Sequence, residues 1–248
     1  MSRPRRLQTL AVCLCASVLL VCTVARAQES TVTAQVELSN GSLAHHANNR
    51  ANVVVWLSVL QDTSPVRPAS GRGPGQRLRL LQKDKRFEPH VLVVPVGAAV
   101  EFPNHDPFFH NVFSLFEGKS FDLGLYEAGT SRLVHFDRPG VSYIFCNIHP
   151  EMSGVVVALR TPYYATSDAA GKLAIERVPP GRYLMQVWAE GASAENLKAL
   201  NREVTISGAE QSLGVIRVVE DTPPAPHKNK YGRDYDAPGS DYPPTEPK

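Results

Sequence analysis

The sequence predicts an all-β protein, on three observations. Apolar and polar residues alternate in short runs, with the period of a half-buried strand. Glycine and proline interrupt these runs at short intervals, the pattern of β-sandwiches and barrels. No convincing helical period crosses residues 77–160, and only 192–200, around Leu197 and Leu200, looks like one or two helical turns. Hydrophobic residues make up 43% of the 248-residue chain and charged residues 20%, enough apolar surface for a core in one or two domains.

The first 27 residues stand apart from that core. Arg3, Arg5 and Arg6 precede an apolar run from 10 to 24, and Ala25-Arg26-Ala27 closes it. This is the pattern of a secretory signal cleaved after a small-x-small site. The run falls short of the ~20 apolar residues that span a bilayer, so no stable membrane span is expected. The residues after Arg5-Arg6 do not support a twin-arginine signal, and Val21 is too large for the position before a lipoprotein Cys22. The expected location is periplasmic or secreted. Cleavage removes four arginines and no acidic residue, which takes the formal charge from +2 to −2. Nothing in that balance suggests nucleic-acid or membrane-surface binding. Cys13, Cys15 and Cys22 leave with the signal and Cys146 remains alone. In an oxidising compartment a lone cysteine has no internal disulfide partner and reads as a free or ligating thiol. The alternative is a buried, inert cysteine acting as a small hydrophobe.

In chain order, 31–38 alternates as a strand, Asn40-Gly41 signals a turn, and 51–60 is a β-branched run of a more buried strand. His45-His46, between them, reads as a solvated loop pair, because no other ligand has metal spacing to it. Residues 63–76 are rich in Pro, Gly, Ser and Arg and form a linker. Strands are expected at 77–82, around Phe87-Glu88-Pro89, and at 91–96, 98–102, 111–115, 132–136, 142–146 and 155–159. Turns at 168–171 and Pro180-Gly181 separate later strands, and 202–206 and 213–219 are the last. From 221 to 248 the chain has almost no aliphatic residue and is expected to be a disordered, Pro-rich tail. Tyr231, Tyr235 and Tyr242 recur in it, with a solvated tail as the default reading.

The chemistry concentrates in Phe145-Cys146-Asn147-Ile148-His149-Pro150-Glu151-Met152. A thiol, an imidazole and a thioether within seven residues are ligands that select copper or zinc over magnesium or calcium. His110 is the fourth candidate, and two His, one Cys and a weak axial Met compose a blue-copper site. Zinc could take Cys, His and His with a fourth ligand, but Met152 is a poor zinc ligand. Pro150 is expected to fix the loop and turn Glu151 outward. Met185 lies in another segment. His105 is near His110, His90 and His135 sit in strand contexts, and His227 lies in the tail.

Residues 77–160 resemble the cupredoxins, the plastocyanin and azurin family of β-sandwich copper proteins. The resemblance rests on Phe87-x-Pro89, the Gly97-x-x-Val100-x-Phe102-x-Asn104 strand, His110-Asn111-Val112, the Gly140 turn and Cys146-x2-His149-x2-Met152. The last spacing is most similar to that of amicyanin, the short-loop member. The resemblance implies a Greek-key sandwich holding one type 1 copper ion. In it His110 and His149 bind through ring nitrogen, Cys146 as thiolate and Met152 as the weak axial ligand, while Asn111 ties the two ligand loops together. It also implies an apolar patch near His149, beside Pro150, Phe108 and Phe109, where periplasmic redox partners such as a cytochrome or dehydrogenase dock.

The remaining strands resemble carboxypeptidase regulatory-like domains, small Ig-like or transthyretin-like sandwiches. Thr166-x-Asp168-x2-Gly171-x-Leu173 and Val178-x2-Gly181-x-Tyr183 carry the likeness, with 28–62 as the first half and 161–220 as the second. The copper domain is then an insertion. Pairing of Val53 to Leu57 with strands from Leu173 to Trp188 marks that arrangement. Pairing with Val91 to Val96 marks three consecutive pieces instead. The expected function is one-electron transfer by the copper centre. The alternatives are a copper carrier or sensor without electron transfer, and an exported scaffold or adhesion protein. Enzyme activity is not expected, because no triad, acid/base pair or substrate pocket signature occurs.

Overall fold

The computed structural model describes residues 28–40, 50–60, 77–115, 118–221 and 227–235. The signal, His45-His46, the 63–76 linker and Tyr242 lie outside them. The described chain is all-β. It opens with β1 (Ser30–Asn40) and β2 (Val54–Val59). Next come β3 (Leu78–Arg79), β4 (Leu81–Lys83), β5 (Arg86–Glu88), β6 (Val91–Pro95), β7 (Ala98–Pro103), β8 (His110–Ser114), β9 (Phe121–Tyr126), β10 (Ser131–Phe136), β11 (Gly140–Cys146) and β12 (Ser153–Leu159). It closes with β13 (Tyr164–Thr166), β14 (Lys172–Val178), β15 (Gly181–Trp188), α1 (Ala194–Ala199), β16 (Arg202–Ile206) and β17 (Glu210–Glu220).

The sheets lie in stacked layers. The first sandwich faces the sheet β10-β7-β3 against the five-stranded sheet β6-β12-β11-β8-β9. Between them lie Leu80, Leu92, Val94, Val100, Phe102, Phe136, Ile144, Cys146, Met152 and Val156. The second sandwich joins β14-β1-β17 to β13-β2-β15-β16. Its core holds Val32, Val36, Val55, Leu57, Ile175, Tyr183, Met185, Ile206 and Val218. β2 runs antiparallel to β15, with Val55 opposite Val187 and Leu57 opposite Met185.

A third apolar layer glues the two sandwiches together. Val91 and Val93 of β6 and Val155, Val157 and Leu159 of β12 pack with Val54 and Trp188. The alternate residues of β6 and β12 point into the first core. Both faces of this parallel pair are therefore buried, which is why these strands are almost continuously aliphatic. At the edge of the layer His90 Nε2 meets Glu190 Oε2 at 2.6 Å. That hydrogen bond to Glu190, against the opposing effect of burial, raises the His90 pKa above its ordinary value.

Local chemistry explains the smaller elements. Ser193 caps α1 by accepting a hydrogen bond from the Asn196 N–H. The 168–171 turn closes with Gly171 N–H on the Asp168 carbonyl at 2.8 Å. Gly171 has φ +81, and a Cβ there would run into the Val36 carbonyl, so only glycine fits.

Two sequence expectations need correction. β9 was not anticipated. It is irregular, because Gly124 has φ +67 and the pairing with β8 shifts register between Asn111 and Phe113. The tail is the second. Residues 227–235 are not disordered but lie against the first sandwich, held by aromatic stacking and hydrogen bonds rather than by aliphatic burial.

Leu57 is fully buried, so Leu57→Ala should cost ~2–5 kcal/mol, read by urea unfolding. The His90–Glu190 bond contributes fully below the unfolded His value of about 6.5 and is lost as pH rises through the raised folded value. The melting-temperature gap between wild type and His90→Gln should therefore be widest near pH ~5 and close by pH ~9.

Candidate metal centre

The site is assembled by the pairing of two strands. β8 and β11 are antiparallel neighbours, with Val112 opposite Cys146 and Phe113 opposite Phe145. His110 opens β8 and Cys146 ends β11, so this register sets them side by side. The chain after Cys146 then folds back on itself. The Cys146 N–H donates to the Met152 carbonyl at 3.3 Å and the Met152 N–H to the His149 carbonyl at 3.1 Å. This short return carries His149 over the thiol before β12 begins.

Three donor atoms converge. Cys146 Sγ lies 3.5 Å from His110 Nδ1 and 3.5 Å from His149 Nδ1, and the two nitrogens are 3.2 Å apart. A triangle with these sides has its centre about 2.0 Å from each corner, the bond length of a metal to imidazole nitrogen and somewhat under that to thiolate. His110, Cys146 and Met152 are fully buried and His149 is half-buried. Among the described residues, His110, Cys146 and His149 form a group that could hold a metal ion.

Electrostatics keep the donors ready. Burial lowers both histidine pKa values, and the neighbouring His110 adds to the effect at His149. Burial thus favours the neutral form of both rings, the form that can bind a metal. Burial also pushes the Cys146 thiol up, while hydrogen bonds from the Ile148, Asn111 and His149 amides pull the other way. Those amides favour the thiolate once a cation replaces the proton.

His110 is oriented by a residue the sequence reading passed over. Its Nε2 lies 2.8 Å from Asp106 Oδ2, so Nε2–H donates and Nδ1 is left bare for a metal. Asp106 is itself well held. Burial opposes its charge, but the Lys85 amide, His110 and the Asp84 amide outweigh that and keep its pKa low. The amides of Asp84 and Lys85 reach it at 2.6 and 3.0 Å. Both residues have positive φ, the two-residue turn of a tight hairpin joining β4 to β5. Asn104 shapes the same loop, accepting from the Asp106 N–H at 3.0 Å and donating to the Phe108 carbonyl at 2.8 Å.

The other candidates fall out as follows. Asn111 links the ligand loops through its main chain, with its carbonyl accepting from the Asn147 N–H at 2.8 Å. Its side chain turns instead to Asp122, at 2.7 Å. Glu151 and His105 are exposed, His135 lies on β10, and Met185 is in the second sandwich's core. Phe108 packs against both histidine rings, at 5.3 and 5.4 Å, while Phe109 and Ile148 are exposed. His227, Lys230 and Tyr235 also touch the loop. The spacing of Asp106 four residues before His110 was the available signal for the first of these additions. Composition concealed the tail residues.

No known sequence family and no curated protein matches the chain. Among solved structures, a purple cupredoxin from Nitrosopumilus maritimus is 24% identical over 33% of this chain and 99% of its own, with a TM-score of 0.31. An oxidised amicyanin variant is 23% identical over 34% of this chain and 82% of its own, with a TM-score of 0.31. A copper-containing nitrite reductase from Thermus scotoductus is 25% identical over 39% of this chain, with a TM-score of 0.33, and only 27% of the reductase is spanned. The last comparison corrects the sequence-based exclusion of enzyme activity, since one of the similar structures is an enzyme.

Proposed function

We propose that this chain is an exported copper protein that carries single electrons between periplasmic redox partners. The convergence of two imidazole nitrogens and one thiol around a metal-sized gap carries this reading. His110, His149 and Cys146 would hold the ion. Met152 would complete the set as the weak axial ligand. Its full burial in the same core as Cys146, and its main-chain bonds to Cys146 and His149, support that role. Copper, once bound, supplies a one-electron redox couple.

The chain supplies the rest. Asp106 fixes the His110 tautomer and ring angle. The amides around Cys146 stabilise the thiolate, and the buried sandwich excludes water from the donors. His149 alone of the three reaches towards solvent, beside exposed Phe109 and Ile148. A cytochrome or dehydrogenase docking there is the partner class we infer. We also infer that the first sandwich is an insertion in the second, a reading supported by the β2–β15 pairing. The proposed identity of the second sandwich as a regulatory-like module rests on its sequence pattern.

Adding Cu(II) to the metal-free mature protein should produce an intense thiolate-to-copper band in the visible spectrum, absent in Cys146→Ser. A colourless complex would favour carriage without electron transfer, and no binding would reject both readings. Asp106→Asn should keep the fold, as read by circular dichroism, and weaken copper binding about 10–100-fold in a chelator competition, since it removes the charge that orients a ligand.

A further inference from the structure

The segment 227–235 returns from the second sandwich to the metal loop and grips it at consecutive residues. His227 stacks on Phe145, with ring centres 4.1 Å apart and planes 22° from parallel. Tyr235 donates its hydroxyl to the Cys146 carbonyl at 2.7 Å. The same oxygen lies 3.1 Å from His227 Nδ1. The Lys230 N–H donates to Asn147 Oδ1 at 2.8 Å. Lys230 Nζ reaches Asp122 Oδ2 at 2.8 Å, and the other oxygen of Asp122 accepts from the Asn111 side chain. The residues before, at and after the thiol are thus all held, as is the neighbour of His110.

The segment is shaped to do this. Asn229 closes a tight turn, with its side chain accepting from the Tyr231 and Arg233 amides at 3.0 Å each. Gly232, with φ +74, donates back to the Asn229 carbonyl at 2.9 Å. The turn presents Lys230 and Tyr235 to the loop and leaves Tyr231 72% exposed.

We propose that residues 227–235 are a strap that positions the metal loop, with Tyr235 and Lys230 as its positioning residues. The inference rests on the loop being the metal loop of the preceding section. All of these contacts go to the main chain and to side chains that are not metal donors, so the strap holds the loop with or without an ion. Cys146 is fully buried, so its thiol meets an outside reagent only when the loop opens, and the strap opposes that opening.

The test uses the full-length mature chain with Tyr235→Phe and Lys230→Ala combined, and Arg233→Ala as a control at an exposed side chain of the same turn. In metal-free protein, alkylation of Cys146 by iodoacetamide should be about tenfold faster in the double variant, the scale set by losing two hydrogen bonds. The control should match wild type. A rate in the double variant under about threefold above wild type overturns the proposal. The global unfolding midpoint read alongside should stay near the wild-type value, and a collapse of the whole fold also overturns it, since the strap then acts on more than the loop. With Cu(II) added, the double variant should shift the thiolate-to-copper band and lose copper to a chelator faster. Absence of that band in wild type would reject the electron-transfer reading while the alkylation result still decides the strap.

Discussion

The burial of β12 on both faces is the constraint on which the molecule rests. Val156 and Ala158 look into the core that also holds Cys146 and Met152, while Val155, Val157 and Leu159 look into the layer shared with Val54 and Trp188. Ser153 begins this strand immediately after Met152. The strand that anchors the far end of the ligand loop is therefore the strand that joins the two sandwiches. It has no solvated face along which to slide, and a one-residue slip would send every apolar side chain to the wrong layer. That double burial fixes the far end of the loop in place.

The candidate metal centre combines this scaffold with local polar chemistry. Strand register brings His110 beside Cys146, and a three-residue return brings His149 over both. Orientation then passes to groups outside the donor set. A hairpin with two left-handed residues offers its amides to Asp106, and Asp106 turns the His110 ring. Each layer of support is made of main-chain donors or of a buried acid that those donors hold in place. The donors themselves are left with few other bonds to break before taking up an ion.

Much of this was legible in the chain. The strands with clean alternation, the tight turn at 168–171 and the short helix after Trp188 followed from period and turn chemistry. The donor residues stood out because a lone cysteine, a histidine and a methionine fell within seven positions. β9 escaped because Gly124 and a register shift break its alternation. Asp106 escaped because a ligand-spacing rule looks for donors, and this residue acts through one. The tail escaped because counting aliphatic residues measures only one kind of burial. His227 is held by a ring face, and Tyr235 and Lys230 by main-chain and amide partners on the loop. The stacking of the two sandwiches was implicit in the unbroken aliphatic runs of β6 and β12, which fit strands covered on both sides.

The pairing of β1 with β17 orders the events of folding. Thr31 sits opposite Glu210 and Asn40 opposite Glu220, so this sheet joins the two extremes of the folded core. The strands of the first sandwich lie between these partners in the chain, and every pairing among them is complete by Leu159. Loop-closure entropy makes distant pairings slower to form than near ones. β1 and β2 are expected to pair with β14, β15 and β17 only after the chain between them has collapsed. The first sandwich is therefore expected to form first, and its compaction to shorten the effective loop that the second sandwich has to close.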